Sequence, residues 1–160
     1  MMVANIPSGQ RVYVDETGID EYICRERARA PRGEKVYAQV SGKKYKRTNI
    51  VAAKRGNEIL APLEYTGTTD HVVFEWWFVN MLLPVLVVGN VIILDNASFH
   101  RKATLRELVE KAGFSIIFLP PYSPDYNPIE RFWASLKCRL RKIIADHSSL
   151  SDAISACFQV

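Results

Sequence analysis

A chain of 160 residues with 48% hydrophobic and 24% charged residues has average globular composition and is long enough to bury one substantial core, so one domain is the first expectation. The longest apolar stretch, Phe78 to Val88, is interrupted by Asn80 and contains Pro84, which argues against a membrane span. The first ten residues lack the basic cluster and apolar run of a signal peptide, so a cytoplasmic location is expected, with nucleoid association if the chain is bacterial. Three cysteines, Cys24, Cys138 and Cys157, form no Cys-x-x-Cys pair and suggest neither a disulfide framework nor a zinc site.

The net charge of +4 conceals a segregation. Between Cys24 and Arg55 stand eleven Lys/Arg, among them Arg25, Arg27, Arg29, Arg32, Lys43, Lys44, Lys46 and Arg47, against only Glu26 and Glu34. That segment carries +9, leaving −5 for the remainder. A second basic group, Arg131, Lys137, Arg139, Arg141 and Lys142, has no intervening acid. Isolated charge runs are usually solvated faces, but separation this strong favours a polyanionic partner, nucleic acid above all.

Taken in chain order, residues 1–10 read as a tail, and Arg11 to Asp15 alternates as a strand does. Arg25 to Lys35, with Pro31 and Gly33, reads as an irregular basic loop. Thr48 to Ala53 and Glu58 to Tyr65, separated by an Arg55-Gly56-Asn57 turn, are expected to complete three early antiparallel strands. Thr68 or Thr69 can cap a helix from about Asp70 to Leu83, ended near Pro84. Trp76, Trp77 and Phe78 on it read as core rather than a base-stacking platform, because adjacent residues do not share one helical face. Val91 to Leu94 and Ser115 to Leu119 are apolar runs typical of strands covered on both faces, and Lys102 to Ala112 is a helix closed by Gly113. After a proline-rich loop, Ile129, Phe132, Trp133, Leu136, Leu140 and Ile143 recur at helical spacing, and a last helix starts at Leu150. This order predicts an α/β fold, a mixed sheet with helices packed on it.

Sites in such sheets form beyond the carboxyl ends of strands, where Asp15 and Asp95 both fall. Taken alone, Asp95 is better explained as a strand-end capping residue before a turn, and Asp15 has the same ambiguity. Glu16 is an alternative ligand, pointing to the opposite face if the strand continues. Glu130 has a local explanation too, since Asn127 can cap a helix, Pro128 suits its first position, and Glu130 at the third can reach back to the cap. Asp125, between two prolines, suits a turn but is an alternative third acid. A two-cation site needs several carboxylates from separate elements, and Asp15, Asp95 and Glu130 would supply one each.

Three motifs carry a family resemblance: Val14-Asp15-Glu16-Thr17-Gly18, Ile93-Leu94-Asp95-Asn96-Ala97-Ser98-Phe99-His100, and the run from Leu119 through Pro128-Ile129-Glu130-Arg131-Phe132-Trp133, with 34 residues between Asp95 and Glu130. From about Arg11 onward the chain resembles the catalytic domain of the mariner-like transposase superfamily, particularly its bacterial insertion-sequence branch. The resemblance implies a ribonuclease H-like fold over residues 11–160, with Asp15, Asp95 and Glu130 as catalytic metal ligands for two divalent ions, Mg²⁺ with Mn²⁺ able to substitute. It implies cleavage at transposon ends, transfer of the 3′-hydroxyl into target DNA at TA dinucleotides, and a homodimer assembled on DNA. His100 and the basic residues named above become DNA-contact candidates. The helix-turn-helix modules that precede this domain in such transposases have no room before residue 11, so end recognition is expected from another chain or is lost. Two rivals share the sequence features: a ribonuclease H-like nuclease acting on another nucleic acid, and a domesticated, non-catalytic DNA-binding protein.

Overall fold

The computed structural model describes residues 3–20, 47–120 and 127–158. Five strands form one sheet in the order β3-β2-β1-β4-β5: β1 (Arg11–Asp20), β2 (Arg47–Arg55), β3 (Glu58–Thr66), β4 (Val91–Leu94) and β5 (Ser115–Phe118). β1, β2 and β3 pair antiparallel, whereas β4 and β5 run parallel to β1. The helices are α1 (His71–Trp77), α2 (Lys102–Lys111), α3 (Ile129–Ile143) and α4 (Leu150–Phe158).

β1 runs five residues beyond the expected end at Asp15, because pairing with β2 continues to Asp20 against Arg47. Alternation then sorts its side chains between two layers. Val12 and Val14 join Phe74, Trp77 and Phe78 from the α1 region and Leu105 and Val109 of α2 on one face. Ile19 packs with Ile50 and Ala52 against Ile129, Trp133, Leu136 and Leu140 of α3 and Ile154 of α4 on the other. Each fully covered large side chain contributes about 1.5–3 kcal/mol relative to exposure. Residues Val3–Asn5 and Ser8–Gln10 of the expected tail form short 3₁₀ turns, with Ile6 buried.

Two local details differ from expectation. The cap of α1 is Asp70, whose carboxylate accepts from the Val73 N–H at 3.0 Å, and not Thr68 or Thr69; the Thr69 hydroxyl is engaged with Tyr65 instead. The helix also changes pitch, passing into a π-helical turn over Phe78–Leu82 and a 3₁₀ turn over Leu83–Val85 that holds Pro84. The wider turn inserts a residue, so adjacent Trp77 and Phe78 both reach the core while Trp76 stays exposed. Trp77 and Phe78 are core, as expected, by a route that a regular helix does not offer, whereas Trp76, expected in the core with them, is not.

Candidate active site at the carboxyl ends of the strands

β1 and β4 are paired through Arg11–Val91, Val12–Ile92 and Tyr13–Ile93. Continued by two residues, that register brings Asp15 level with Asp95, on the face shared by Tyr13 and Ile93. Asp15 is nearly closed off from solvent, and its Oδ2 accepts a hydrogen bond from Trp133 Nε1 at 3.1 Å. Burial pushes its carboxyl up to about 7, helped by the charges of Glu130 and Asp95 and opposed by the Glu16 backbone N–H and by Trp133. Trp133, which sequence reading took only as part of an apolar stripe, thus touches a candidate site carboxylate. Its position one helical turn after Glu130 was the available signal, since side chains at that spacing share a face.

Asp95 is half-buried. Its Oδ1 accepts from the Ala97 N–H at 3.1 Å and lies 3.1 Å from His100 Nε2. The His100 contact holds the Asp95 carboxyl below the usual range, with burial opposing and the Ala97 amide assisting.

Glu130 occupies the exposed first turn of α3, and its backbone N–H donates to the Asn127 carbonyl at 3.1 Å. The helix begins at Ile129, one residue later than expected, but Asn127 serves its start as expected, its side-chain Oδ1 accepting from the Ile129 N–H at 3.4 Å. Asn127 is buried, and its side-chain amide donates to the Val14 carbonyl of β1 at 3.4 Å. That bond and the one from Trp133 to Asp15 tie the start of α3 to the strand that carries Asp15.

Glu16 points to the opposite face, as expected of a continuing strand. Burial pushes its carboxyl up to about 8, with Asp15, Asp95 and Glu130 adding to the shift, and its Oε2 is buried without a hydrogen-bond partner. Among the described residues no three His, Cys, Asp or Glu side chains converge tightly enough to grip a cation on their own. The donors nevertheless fit a hard divalent ion. Mg²⁺ keeps several waters and needs only one or two direct carboxylates, and the mutual repulsion that raises Asp15 is what a cation would relieve.

The basic residues divide. Arg25, Arg27, Arg29, Arg32, Lys43, Lys44 and Lys46 lie outside the described residues, as do Asp125 and Cys24. Arg47 is exposed at the start of β2, its guanidinium lying in the space that a Cβ on Gly18 would fill. Glycine in a strand interior is costly, and this close approach accounts for it. On α3, Lys137 and Arg141 follow Glu130 at seven and eleven residues and so lie along its stripe, while Arg131 stands about a quarter-turn away and exposed. His100 requires a correction: its side chain is fully buried, so it does not present itself to DNA as a surface contact would.

The fold is shared with structures of known proteins. The Mos1 transposase paired-end complex with left transposon end superposes with a TM-score of 0.70 at 18% identity, covering 83% of this chain and 42% of that one. The catalytic domain of Mos1 mariner transposase gives 0.58 at 16% identity, covering 81% and 59%. The catalytic core domain of BIV integrase gives 0.58 at 16% identity, covering 94% and 81%. The architecture is the ribonuclease H-like fold of these catalytic cores, and the chain spans less than half the length of the first Mos1 protein. No curated protein sequence matches it. The family model described as DDE superfamily endonuclease matches residues 10–151, all five strands and the first three helices included, and the chain belongs to that family of endonucleases.

Proposed function

We propose that the chain is the catalytic domain of a DNA transposase, which cleaves transposon ends and transfers the freed 3′-hydroxyl into target DNA with Asp15, Asp95 and Glu130 as its metal-binding carboxylates. The observation that carries this reading is the parallel register of β1 and β4, whose last pair, Tyr13–Ile93, stands two residues before Asp15 and Asp95, close enough for the Asp95 charge to act on Asp15. Glu130 enters from α3, close enough for its charge to raise Asp15.

Asp15, Asp95 and Glu130 hold two divalent ions, Mg²⁺ or Mn²⁺. Such ions supply a lowered pKa for the attacking water or hydroxyl and charge neutralisation at the leaving oxygen. Trp133 fixes the rotamer of Asp15 by its N–H, and Asn127 fixes the distance between α3 and β1. Lys137 and Arg141, on the stripe of Glu130, together with Arg131, Arg47 and the basic segment before it, seat the phosphate backbone, whose contacts position DNA without reading its sequence. The Mos1 structures are of transposase complexes with transposon ends, with Mn and with Mg. That supports DNA as the substrate here and a divalent metal as the cofactor. Assembly as a homodimer on DNA, insertion at TA and a separate helix-turn-helix chain for end recognition belong to the same proposal.

Incubation with a precleaved transposon end, a supercoiled plasmid and Mg²⁺ or Mn²⁺ tests it. Joined product is the expected result. Metal-dependent cutting of RNA/DNA hybrids or branched DNA without joining would assign a nuclease instead, and binding with no metal-dependent cleavage of any substrate would assign a DNA-binding protein.

A further inference from the structure

Among the described residues, His100 is a buried polar group that the chemistry above does not use and that has both ring nitrogens unpartnered. Its ring is closed off completely, packed at a tilt against both Phe74 of α1 and Phe99 of its own loop, whose ring centroids lie 4.3 Å from it and 6.0 Å from each other. Neither ring nitrogen has a hydrogen-bond partner, although Nε2 stands 3.1 Å from Asp95 Oδ1 with its N–H direction bent off that line. An imidazole sealed in an apolar slot costs free energy for each unsatisfied nitrogen. Packing alone would be served better by phenylalanine. The slot is also braced: Arg101, the next residue, makes a two-pronged ion pair with Glu75 of α1 at 2.7 and 2.5 Å. The segment between β4 and α2 is therefore anchored to α1 on both sides of the His100–Arg101 peptide.

We propose that His100 is a positioning residue for Asp95: the imidazole, seated against Phe74 and Phe99, engages Oδ1 through Nε2–H and leaves Oδ2 as the oxygen that meets a divalent ion. Oδ1 is already taken by the Ala97 N–H, while Oδ2 receives no hydrogen bond among the described residues. Two donors on one oxygen fix the carboxylate rotamer, and the bent contact straightens when a cation draws Asp95 into place, as apo-state hydrogen bonds at such sites commonly do. The inference rests on the reading of Asp95 as a metal ligand.

A pair of substitutions separates positioning from packing. His100→Phe keeps the aromatic slot filled and removes the donor, whereas His100→Gln returns a donor at about the reach of Nε2 and removes the ring. Mn²⁺ affinity of the DNA-free chain is read by electron paramagnetic resonance, and thermal unfolding is followed alongside. His100→Phe is expected to melt at or above the wild-type temperature yet bind Mn²⁺ about 10- to 100-fold more weakly, the usual cost of losing a partner that orients a metal ligand. His100→Gln is expected to melt lower and recover most of the affinity. Wild-type affinity in a folded His100→Phe overturns the proposal. Should that variant not fold, the nitrogen chemical shifts of His100 in the wild-type chain decide: a proton on Nε2 supports the contact, and the Nδ1–H tautomer overturns it. A wild-type chain that binds no Mn²⁺ at all overturns the metal-site reading itself and the role of His100 with it.

Discussion

Asp15 is shut between the sheet and Trp133, and its carboxyl is raised from 3.8 to about 7. An acid that holds its proton more tightly in the fold than in the unfolded chain adds stability that is whole below about pH 4 and is lost as pH rises through about 7. Glu16, raised to about 8, extends the same loss upward. The metal-free chain should therefore melt at progressively lower temperature from pH 4 to pH 8, and Asp15→Asn should flatten part of that slope in a pH series of thermal scans. A melting temperature that climbs over this range would contradict the burial argument. Glu130 poses a different question, because capping needs only an acceptor and a cation needs charge. Glu130→Gln should keep the fold and the metal-free DNA affinity while metal-dependent cleavage and joining fall by orders of magnitude. Among the described residues Asn127, not the Glu130 side chain, accepts from the first turn of α3, so Glu130→Ala should melt close to Glu130→Gln. An added stability loss of about 0.5–2 kcal/mol in denaturant titration would instead reveal a cap. If Glu130→Gln joins DNA at the wild-type rate, Asp125 becomes the third acid to test.

At the scale of elements, α3 does two jobs with one periodicity. Its apolar positions Ile129, Trp133, Leu136 and Leu140 seat it on the sheet, and the adjacent stripe carries Glu130, Lys137 and Arg141. That arrangement puts cations beside the carboxylates, where a phosphate backbone would lie. If these residues and the basic segment before β2 contact about six phosphates, the logarithm of duplex affinity should fall against log salt with a slope near −5 and little sequence preference. Replacing Arg25, Arg27, Arg29 and Arg32 together should flatten that slope markedly, whereas Lys137→Ala with Arg141→Ala should remove about two contacts' worth. Binding isotherms at several salt concentrations measure both, and a slope near zero would return these residues to a solvated face. The neighbouring α1 illustrates a limit of local reading. Three polar residues in a row, Thr68, Thr69 and Asp70, can each cap a helix, and the choice of Asp70 follows from the Thr69 hydroxyl being occupied by Tyr65 of β3.

For the whole molecule, the sheet brings acids together that repel one another, so the metal-free site should be a stability liability. Asp15→Asn, at the acid that burial and the charges of Glu130 and Asp95 raise, is expected to leave the metal-free protein at least as stable, and to abolish the rise in melting temperature that Mg²⁺ or Mn²⁺ gives the wild type through linkage. Unfolding of Asp15→Asn, with no cation effect on the wild type, would mean that the cluster is structural. The strands, α2, α3 and α4 were legible in the sequence to within a residue or two, apart from the longer reach of β1, because an apolar run or a helical period is a property of consecutive residues. The three carboxylates were legible as candidates from such runs and their motifs, although β1 continues past Asp15 and Glu130 opens its helix instead of ending one. Tertiary structure alone decided the rest. It extended β1 past Asp15 by pairing with β2, set the β1–β4 register that brings Asp15 within reach of the Asp95 charge, brought Trp133 to Asp15 across 118 residues of sequence, and buried His100 behind Asp95. Those are contacts between separate elements. A local pattern records which face of a strand or helix is apolar, but not which residue of another element will stand against it, and a buried carboxylate or imidazole takes its chemistry from that neighbour.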